Sequence, residues 1–343
     1  MNKGRELLRA LSALTLSACA LSAALGSTAA QQATTVTQRA SPPRPGPGQY
    51  ELHDQYDESP WSDRFTGGHV ERAELIENDP NVEITVDVPA FRLTLWQDGH
   101  EVKSYRIGVG QKAYPIIIGV RTATEVIWNP AWIPPASDWV TGHKGVKPGQ
   151  YITASDPRNP IGKVKIPLGG GYLIHQAQGA HDLGNLVSHG CVRVLLPDLY
   201  DLAEKINAAY GYPLNAKQIA LAKRTKRTIT GALPAPLSVD INYDTLVVEG
   251  GALHIYPDVY DRGTNTVARL RAELAASNAD AAALDDATIE QMLARVKPHM
   301  EYVVSLESIA AGRALADGEL RPIIGTAAKQ RPRATVRRAA RAE

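Results

Sequence analysis

The sequence predicts a mainly β domain of sandwich or barrel-like build, with one or two helices, followed by a helical region. Three observations predict it. From residue 81 apolar residues alternate with polar ones at the period of a half-buried strand. The alternating stretches are short, and glycine- and proline-rich turns separate them. Before residue 216 a single long stretch carries helical spacing, and helical patterns dominate again from Thr264.

In chain order, Val82, Ile84, Val86 and Val88 alternate with Glu83, Thr85 and Asp87. Leu93 and Leu95 continue the pattern, and Gln97-Asp98-Gly99 supplies a turn. Val102 to Val109 reads as the next strand, with further β segments at Thr124 to Trp128 and Lys163 to Ile166. Gly169 to Gly171 breaks the chain before the strand-like Tyr172-Leu173-Ile174. Leu195 to Ala209 is the main helix: Leu196, Leu199, Leu202, Ala203 and Ile206 recur at helical spacing, with Pro197 and Asp198 near its start. Lys217 to Lys226 is basic and compatible with a helix. Val239 to Val248 and Ala252 to Tyr256 predict a hairpin around Glu249-Gly250-Gly251. Val267 to Ala275 and Ala287 to Val296 are helical in pattern, with an Ala/Asp-rich segment between them.

Composition bounds the function without naming it. The 343 residues suit two domains, or one domain with appendages. With 37 Lys plus Arg against 36 Asp plus Glu, the near-balance argues against a chain built to coat nucleic acid or an anionic membrane. At the N-terminus, Lys3, Arg5 and Arg9 precede the apolar run Ala10 to Gly26, and small residues follow at Ser27 to Ala30. That layout reads as a secretory signal, hence a periplasmic or other cell-envelope location. A retained anchor is the alternative, although the run is marginal for a membrane span. Leu16-Ser17-Ala18-Cys19 also matches a lipobox, which would acylate Cys19. Against that, the apolar run continues past Cys19 to Leu25. Ser41 to Gly48 is proline-rich, stiff and extended, as a spacer would be. The last eighteen residues carry six basic side chains against Glu343, which suits either contact with an anionic surface or a solvated tail.

Cys19 and Cys191 are the only cysteines. If Cys19 is removed or acylated, Cys191 has no intramolecular partner, and a lone exported thiol is a liability unless it is used. Its surroundings favour use. The run from Tyr172 to Val194 places His175, His181 and His189 within sixteen residues of Cys191. An imidazole can take the thiol proton and leave a nucleophilic thiolate. His175 ends an apolar strand-like segment, where a sheet would fix it. Gly190 allows an unusual turn, nearby amides can face an oxyanion, and Arg193 offers a fork for a carboxylate.

His175, twelve residues, then Ser188-His189-Gly190-Cys191-Val192-Arg193 resembles the signature of the YkuD-type L,D-transpeptidases. Asn129-Pro130-Ala131-Trp132-Ile133-Pro134-Pro135 and Asn159-Pro160-Ile161-Gly162-Lys163-Val164 are similar to segments of the ErfK-like branch. The likeness covers roughly residues 80 to 215 and weakens toward 260. Two segments depart from the family pattern: Tyr114-Pro115-Ile116-Ile117-Ile118-Gly119, where Thr-Pro-x-Gly is usual, and His175-Gln176-Ala177, where His-Gly-Thr is usual. Both fall on the expected substrate groove.

The resemblance implies a peptidoglycan L,D-transpeptidase. Cys191 would attack the bond between meso-diaminopimelate and D-Ala of a tetrapeptide stem, form a thioester and release D-Ala. His175 would handle the protons, and the Gln176 carbonyl would orient the imidazole. Ser188, His189 and Gly190 would shape the nucleophile loop and its oxyanion amides, and Arg193 would steer a stem carboxylate or brace the loop. A diaminopimelate amine or a wall-anchored protein would accept the acyl group. The same thiolate is expected to capture carbapenems, and neither metal nor cofactor is implied.

Composition, periodicity and the resemblance together predict a division of the chain. Residues 1–30 are expected to be the signal peptide, 31–75 a Pro-rich linker and 76–215 the catalytic domain. A C-terminal β extension covers 216–262, a helical accessory region 263–325, and a basic tail expected to be disordered 326–343.

Three alternatives stand beside this reading. Water as acceptor would make a carboxypeptidase. A non-catalytic wall-binding protein would have no need of both His175 and Cys191. A zinc site built from His175, His181, His189 and Cys191 lacks a second close ligand pair. Trp128, Trp132 and Trp139 suit either the groove or core packing.

Overall fold

The structure is a computed structural model that describes residues 80–141 and 145–323. The expected signal peptide, Cys19, the linker and the basic tail lie outside the described residues. Among the described residues no helix is long and apolar enough to cross a membrane.

Nine strands form the main sheet: β1 (Val82–Asp87), β2 (Arg92–Gln97), β3 (His100–Gly110), β4 (Gly119–Trp128), β5 (Val164–Pro167), β6 (Leu173–Gln176), β7 (Leu186–Ser188), β8 (Val192–Val194) and β9 (Ile229–Asn242). Their order is β2-β1-β9-β4-β5-β6-β8-β3-β7, and a further β2–β3 pairing closes the ring into a barrel-like sheet. The β2–β3 turn follows from its sequence. Asp98 and Gly99 have φ of 53° and 76°, and Gln97 pairs with His100. Two consecutive left-handed residues are what a tight hairpin between right-twisted strands requires, and Asp-Gly supplies them at low cost.

The alternation predicted for β1 holds on one face only. Ile84 and Val86 enter the main core, but Thr85 and Asp87 are buried too. Trp96 Nε1 donates to Thr85 Oγ1 at 3.0 Å, and Arg92 Nε donates to Asp87 at 3.2 Å. The polar face is therefore satisfied by its neighbour β2 rather than by water. β9 contains Pro234 and Pro236, which argue against an uninterrupted strand. Its register on β4 shifts across that stretch, from Ala123 opposite Leu237 to Glu125 opposite Ala232. The prolines thus sit where pairing is broken.

The main core joins Ile107, Trp128, Ile166, Ile174, Val192, Val194 and Leu237 to Leu199, Leu202 and Ile206 of helix α2 (Leu196–Ala209). The excursion between β4 and β5 holds the one-turn helix α1 (Asp138–Thr141) and carries a second apolar cluster of Trp132, Val140, Val146, Ile152 and Ile161. A two-bond bridge between Trp132 and Ile152 pins it, and Leu173 of β6 packs against it. Helix α3 (Ala216–Arg224) follows α2 behind a capping box of Asn215 and Gln218.

A separate antiparallel sheet joins β10 (Leu246–Glu249), β11 (Ala252–Ile255), β12 (Met300–Ser305) and β13 (Glu319–Pro322) in that order. The expected hairpin is therefore β10–β11, and it pairs with β12, from the region expected to be helical. The helices α4 (Val267–Ala276), α5 (Asp286–Ala294), α6 (Leu306–Ala310) and α7 (Ala314–Asp317) bury Leu270, Leu274, Ile289, Met292, Ile309 and Ala314 against this sheet.

Candidate active site

The site begins with a parallel pairing. β6 and β8 run side by side with Ile174 opposite Val192, His175 opposite Arg193 and Gln176 opposite Val194. Side chains of paired residues share a face, and successive ones alternate. Ile174 and Val192 therefore fill the core, while His175 and Arg193 share the other face. Cys191 immediately precedes β8, and the Leu173 backbone of β6 hydrogen-bonds to its thiol. The pairing sets His175 opposite Arg193, two residues after Cys191.

His175 is 3% exposed, and its Nδ1 lies 3.3 Å from the carbonyl oxygen of Ile161. A carbonyl only accepts, so Nδ1 carries the hydrogen and Nε2 is left as the basic nitrogen. The Ile161 carbonyl is held in turn. Ile161 N donates to Asn159 Oδ1 at 2.9 Å, and Asn159 Nδ2 donates to the carbonyls of Pro130 and Thr153. Gly162 has φ of 81°, and a Cβ there would stand 2.3 Å from Gln176 Oε1. Gln176 uses that oxygen to accept from Lys163 N at 2.8 Å. Its side chain thus fastens the strap behind the imidazole, and its backbone adds a weaker hydrogen bond favouring the protonated ring.

The nucleophile loop is bound tightly. Ser188, 1% exposed, donates from Oγ to the Cys191 carbonyl at 2.6 Å. Gly190 has φ of 101°, and a Cβ there would stand 2.6 Å from the Tyr172 ring. Only glycine suits both demands. His189 stacks on Trp139 at 4.2 Å between centroids and meets Tyr114 edge-on at 4.8 Å. Of Trp128, Trp132 and Trp139, Trp139 reaches His189, Trp132 packs in the second cluster, and Trp128 lies in the core stacked on Tyr200 at 5.4 Å.

Arg193 is buried, with its Nη1 3.3 Å from Asp182 Oδ2 and no hydrogen-bond partner for Nε. Asp182 sits on the short 3-10 turn Ala180–Asp182 and also accepts from Gln178 N at 2.8 Å. Its backbone fits there because Gly108, opposite Arg193 on β3, has no side chain: a Cβ would stand 2.3 Å from the Asp182 oxygen. His181 is exposed, with Nε2 3.3 Å from Asp182 Oδ1. Among the described residues no group of three or more His, Cys, Asp or Glu is placed to hold a metal ion.

Burial lowers the His175 pKa to about 3, with the nearby Arg193 charge adding to the effect. Burial also raises the Cys191 thiol, opposed by a backbone hydrogen bond from Leu173 and by Arg193. Both shifts favour uncharged forms, so the resting pair is a thiol beside a neutral imidazole. A cleft of about 510 Å³ is lined by Val146, Arg158, Asn159, Gly162, Gln176 and Gln178; neither Cys191 nor His175 lines it.

The family model that describes the YkuD L,D-transpeptidase catalytic domain matches residues 81–231. Over those residues the chain is similar to that catalytic domain. The match ends inside β9, so the last strand of the barrel runs past it, and the second sheet lies wholly beyond it. The chain is 30% identical over 125 residues to the probable L,D-transpeptidase YbiS of Escherichia coli K12, covering 36% of this chain and 41% of that protein. It is also 30% identical over 128 residues to the probable L,D-transpeptidase ErfK/SrfK of Salmonella typhimurium, covering 36% and 40%. The chain thus spans about two fifths of the length of these curated relatives. An L,D-transpeptidase from Mycobacterium smegmatis aligns in structure over 47% of this chain and 58% of its own, with 18% identity and a TM-score of 0.27.

Sequence reasoning named His175, Gln176, Ser188, His189, Gly190, Cys191 and Arg193. The structure brings them into one region on β6, β8 and the loop between β7 and β8. It adds the Ile161 carbonyl, Asp182, Tyr114 and Tyr172. Ile161 lies in a segment already noted for its family likeness, and that likeness was the available signal. Asp182 carried none.

Proposed function

We propose that this protein is an exported cysteine acyltransferase acting on peptidoglycan stem peptides. Cys191 is the nucleophile and His175 the general base. What supports this reading is that Cys191 immediately precedes β8, whose Arg193 pairs with His175 on the parallel strand β6, while the Ile161 carbonyl lies 3.3 Å from the imidazole Nδ1.

The stem peptide binds with its meso-diaminopimelate–D-Ala carbonyl over Cys191. The thiol proton moves to His175 Nε2 as sulfur bonds to the carbonyl carbon. Amides of the His189–Cys191 turn receive the oxyanion. The tetrahedral adduct then expels D-Ala, whose nitrogen takes the proton from the imidazolium, and a thioester remains. An acceptor amine, from a diaminopimelate side chain or a wall-anchored protein, attacks the thioester and gives its proton to His175. The sulfur leaves and recovers that proton. A neutral resting pair suits this cycle, because charge separates only while the acyl group is in place.

The test is intact mass of residues 31–343 after incubation with a carbapenem and, separately, with a tetrapeptide stem. Wild type is expected to gain one acyl group. Cys191→Ala is expected to gain none, and His175→Gln to acylate roughly 10²–10⁴-fold more slowly. Acylation of Cys191→Ala would overturn the assignment. With the stem, a tripeptide product formed without added amine would point to water as the acceptor.

A further inference from the structure

Residues 110–116 leave the end of β3 and run past the nucleophile loop. Gly110 pairs with Ser188, and Gln111 N donates to the Ser188 carbonyl at 2.9 Å. A Cβ on Gly110 would stand 3.0 Å from Gly190 Cα, and the Tyr114 ring meets His189. This turn is thus the wall against which Ser188 to Cys191 are set.

The turn is tied at both ends by one side chain from beyond the family match. Tyr260 Oη donates to the Gly110 carbonyl at 3.0 Å and accepts from Ile116 N at 3.4 Å. Lys112, between those ends, forms an ion pair with Asp261. Tyr260 is itself anchored. Its N–H donates to Tyr243 Oη at 2.6 Å, and that hydroxyl donates to Asp258 Oδ1 at 2.6 Å. The two rings stack at 5.4 Å, with Arg262 over both at 4.7 and 5.6 Å. Asp258 also accepts from the amides of Arg262 and Thr264. The anchoring turn therefore belongs to the segment that leads from β11 into α4.

We infer that Tyr260 is a positioning residue for Cys191, holding the Gly110–Ile116 turn against the nucleophile loop and making the segment after the barrel part of the acylating machinery. The inference rests on the acyl-transfer reading above. A hydroxyl that donates at one end of a turn and accepts at the other fixes the span between them, which a phenyl ring in the same place cannot do. Tyr260→Phe keeps the stack on Tyr243 and Arg262 and removes both hydrogen bonds.

The experiment uses the full chain. Hydrogen–deuterium exchange is measured on peptides covering 110–116 and 186–191, beside the carbapenem acylation rate and the melting temperature. Glu249→Gln serves as control, since it loosens the Arg92–Glu249 contact between the same two sheets away from the turn. Tyr260→Phe is expected to speed exchange in both peptides, slow acylation about tenfold and leave melting nearly unchanged. Glu249→Gln is expected to leave exchange at 186–191 and acylation as in wild type. Unchanged exchange at 186–191, or acylation at the wild-type rate, would overturn the inference. If the wild type itself is not acylated, the acyl-transfer reading fails, and exchange at 186–191 decides alone whether Tyr260 holds the loop.

Discussion

The two faces of β6 and β8 differ in what keeps them buried. On one, Ile174, Val192 and Val194 meet α2 and the barrel core with no polar atom among their side chains. On the other, His175 and Arg193 are buried nearly as deeply. The first face is stabilised by apolar area, and each fully buried aliphatic side chain contributes roughly 1.5–3 kcal/mol. The second relies on partners for its polar groups: the Ile161 carbonyl for His175 and Asp182 for Arg193 Nη1, with Arg193 Nε alone left over. A one-residue slip in register would exchange the faces, placing charge in the apolar core and the isoleucine among polar groups. The same pairing that builds the barrel therefore also fixes which residues can do chemistry.

Removing one partner from the polar face should have the largest effect on stability. Asp182→Ala leaves the Arg193 charge buried without its carboxylate, and such a loss costs about 3–5 kcal/mol. Urea unfolding measures it. A cost under about 1 kcal/mol would mean that water already screens Arg193 and that the face is not dry. On the apolar face, Ile174→Ala should cost roughly 2–5 kcal/mol, depending on how far the core closes over the cavity. Per folded molecule, Ile174→Ala should still be acylated at Cys191. If acylation fell in step with stability, the two faces would not be separable.

The apolar face was more legible in the sequence than the polar one. Strands β1 to β6 and helix α2 show in their alternation and helical spacing because they are long enough to carry a period. β7 and β8 have three residues each and carry none. The first half of β9 hid behind Pro234 and Pro236, whose cost the bulge absorbs. β12 was read as part of a helical region because helices flank it in the chain. Within the site, Cys191 and His175 were legible because their chemistry is written in residue type and spacing. Ile161 and Gly110 act through backbone carbonyls, which any residue supplies. Asp182 and Tyr260 act across the fold, at positions that no local period marks.

Acid should separate the faces by titration, with a smaller effect. Burial holds His175 near pKa 3 in the folded protein, whereas an unfolded histidine titrates near 6.5. Between those values the unfolded chain binds a proton that the folded one does not. Stability from this group is therefore full above pH 6.5 and is lost as pH falls toward 3, by up to about 1.4 kcal/mol per pH unit. By pH 5 the loss should reach about 2 kcal/mol. His175→Gln removes the titrating group, so the difference between its unfolding free energy and that of wild type should change with pH in this window. Parallel curves would mean that the imidazole is charged in the folded state. Thiol reactivity gives an independent reading, because burial also raises Cys191. Iodoacetamide alkylation of Cys191 should keep accelerating beyond pH 9. A plateau from mildly acidic pH upward would instead mark a preformed thiolate–imidazolium pair, and the polar face would then store separated charge before any acyl group arrives.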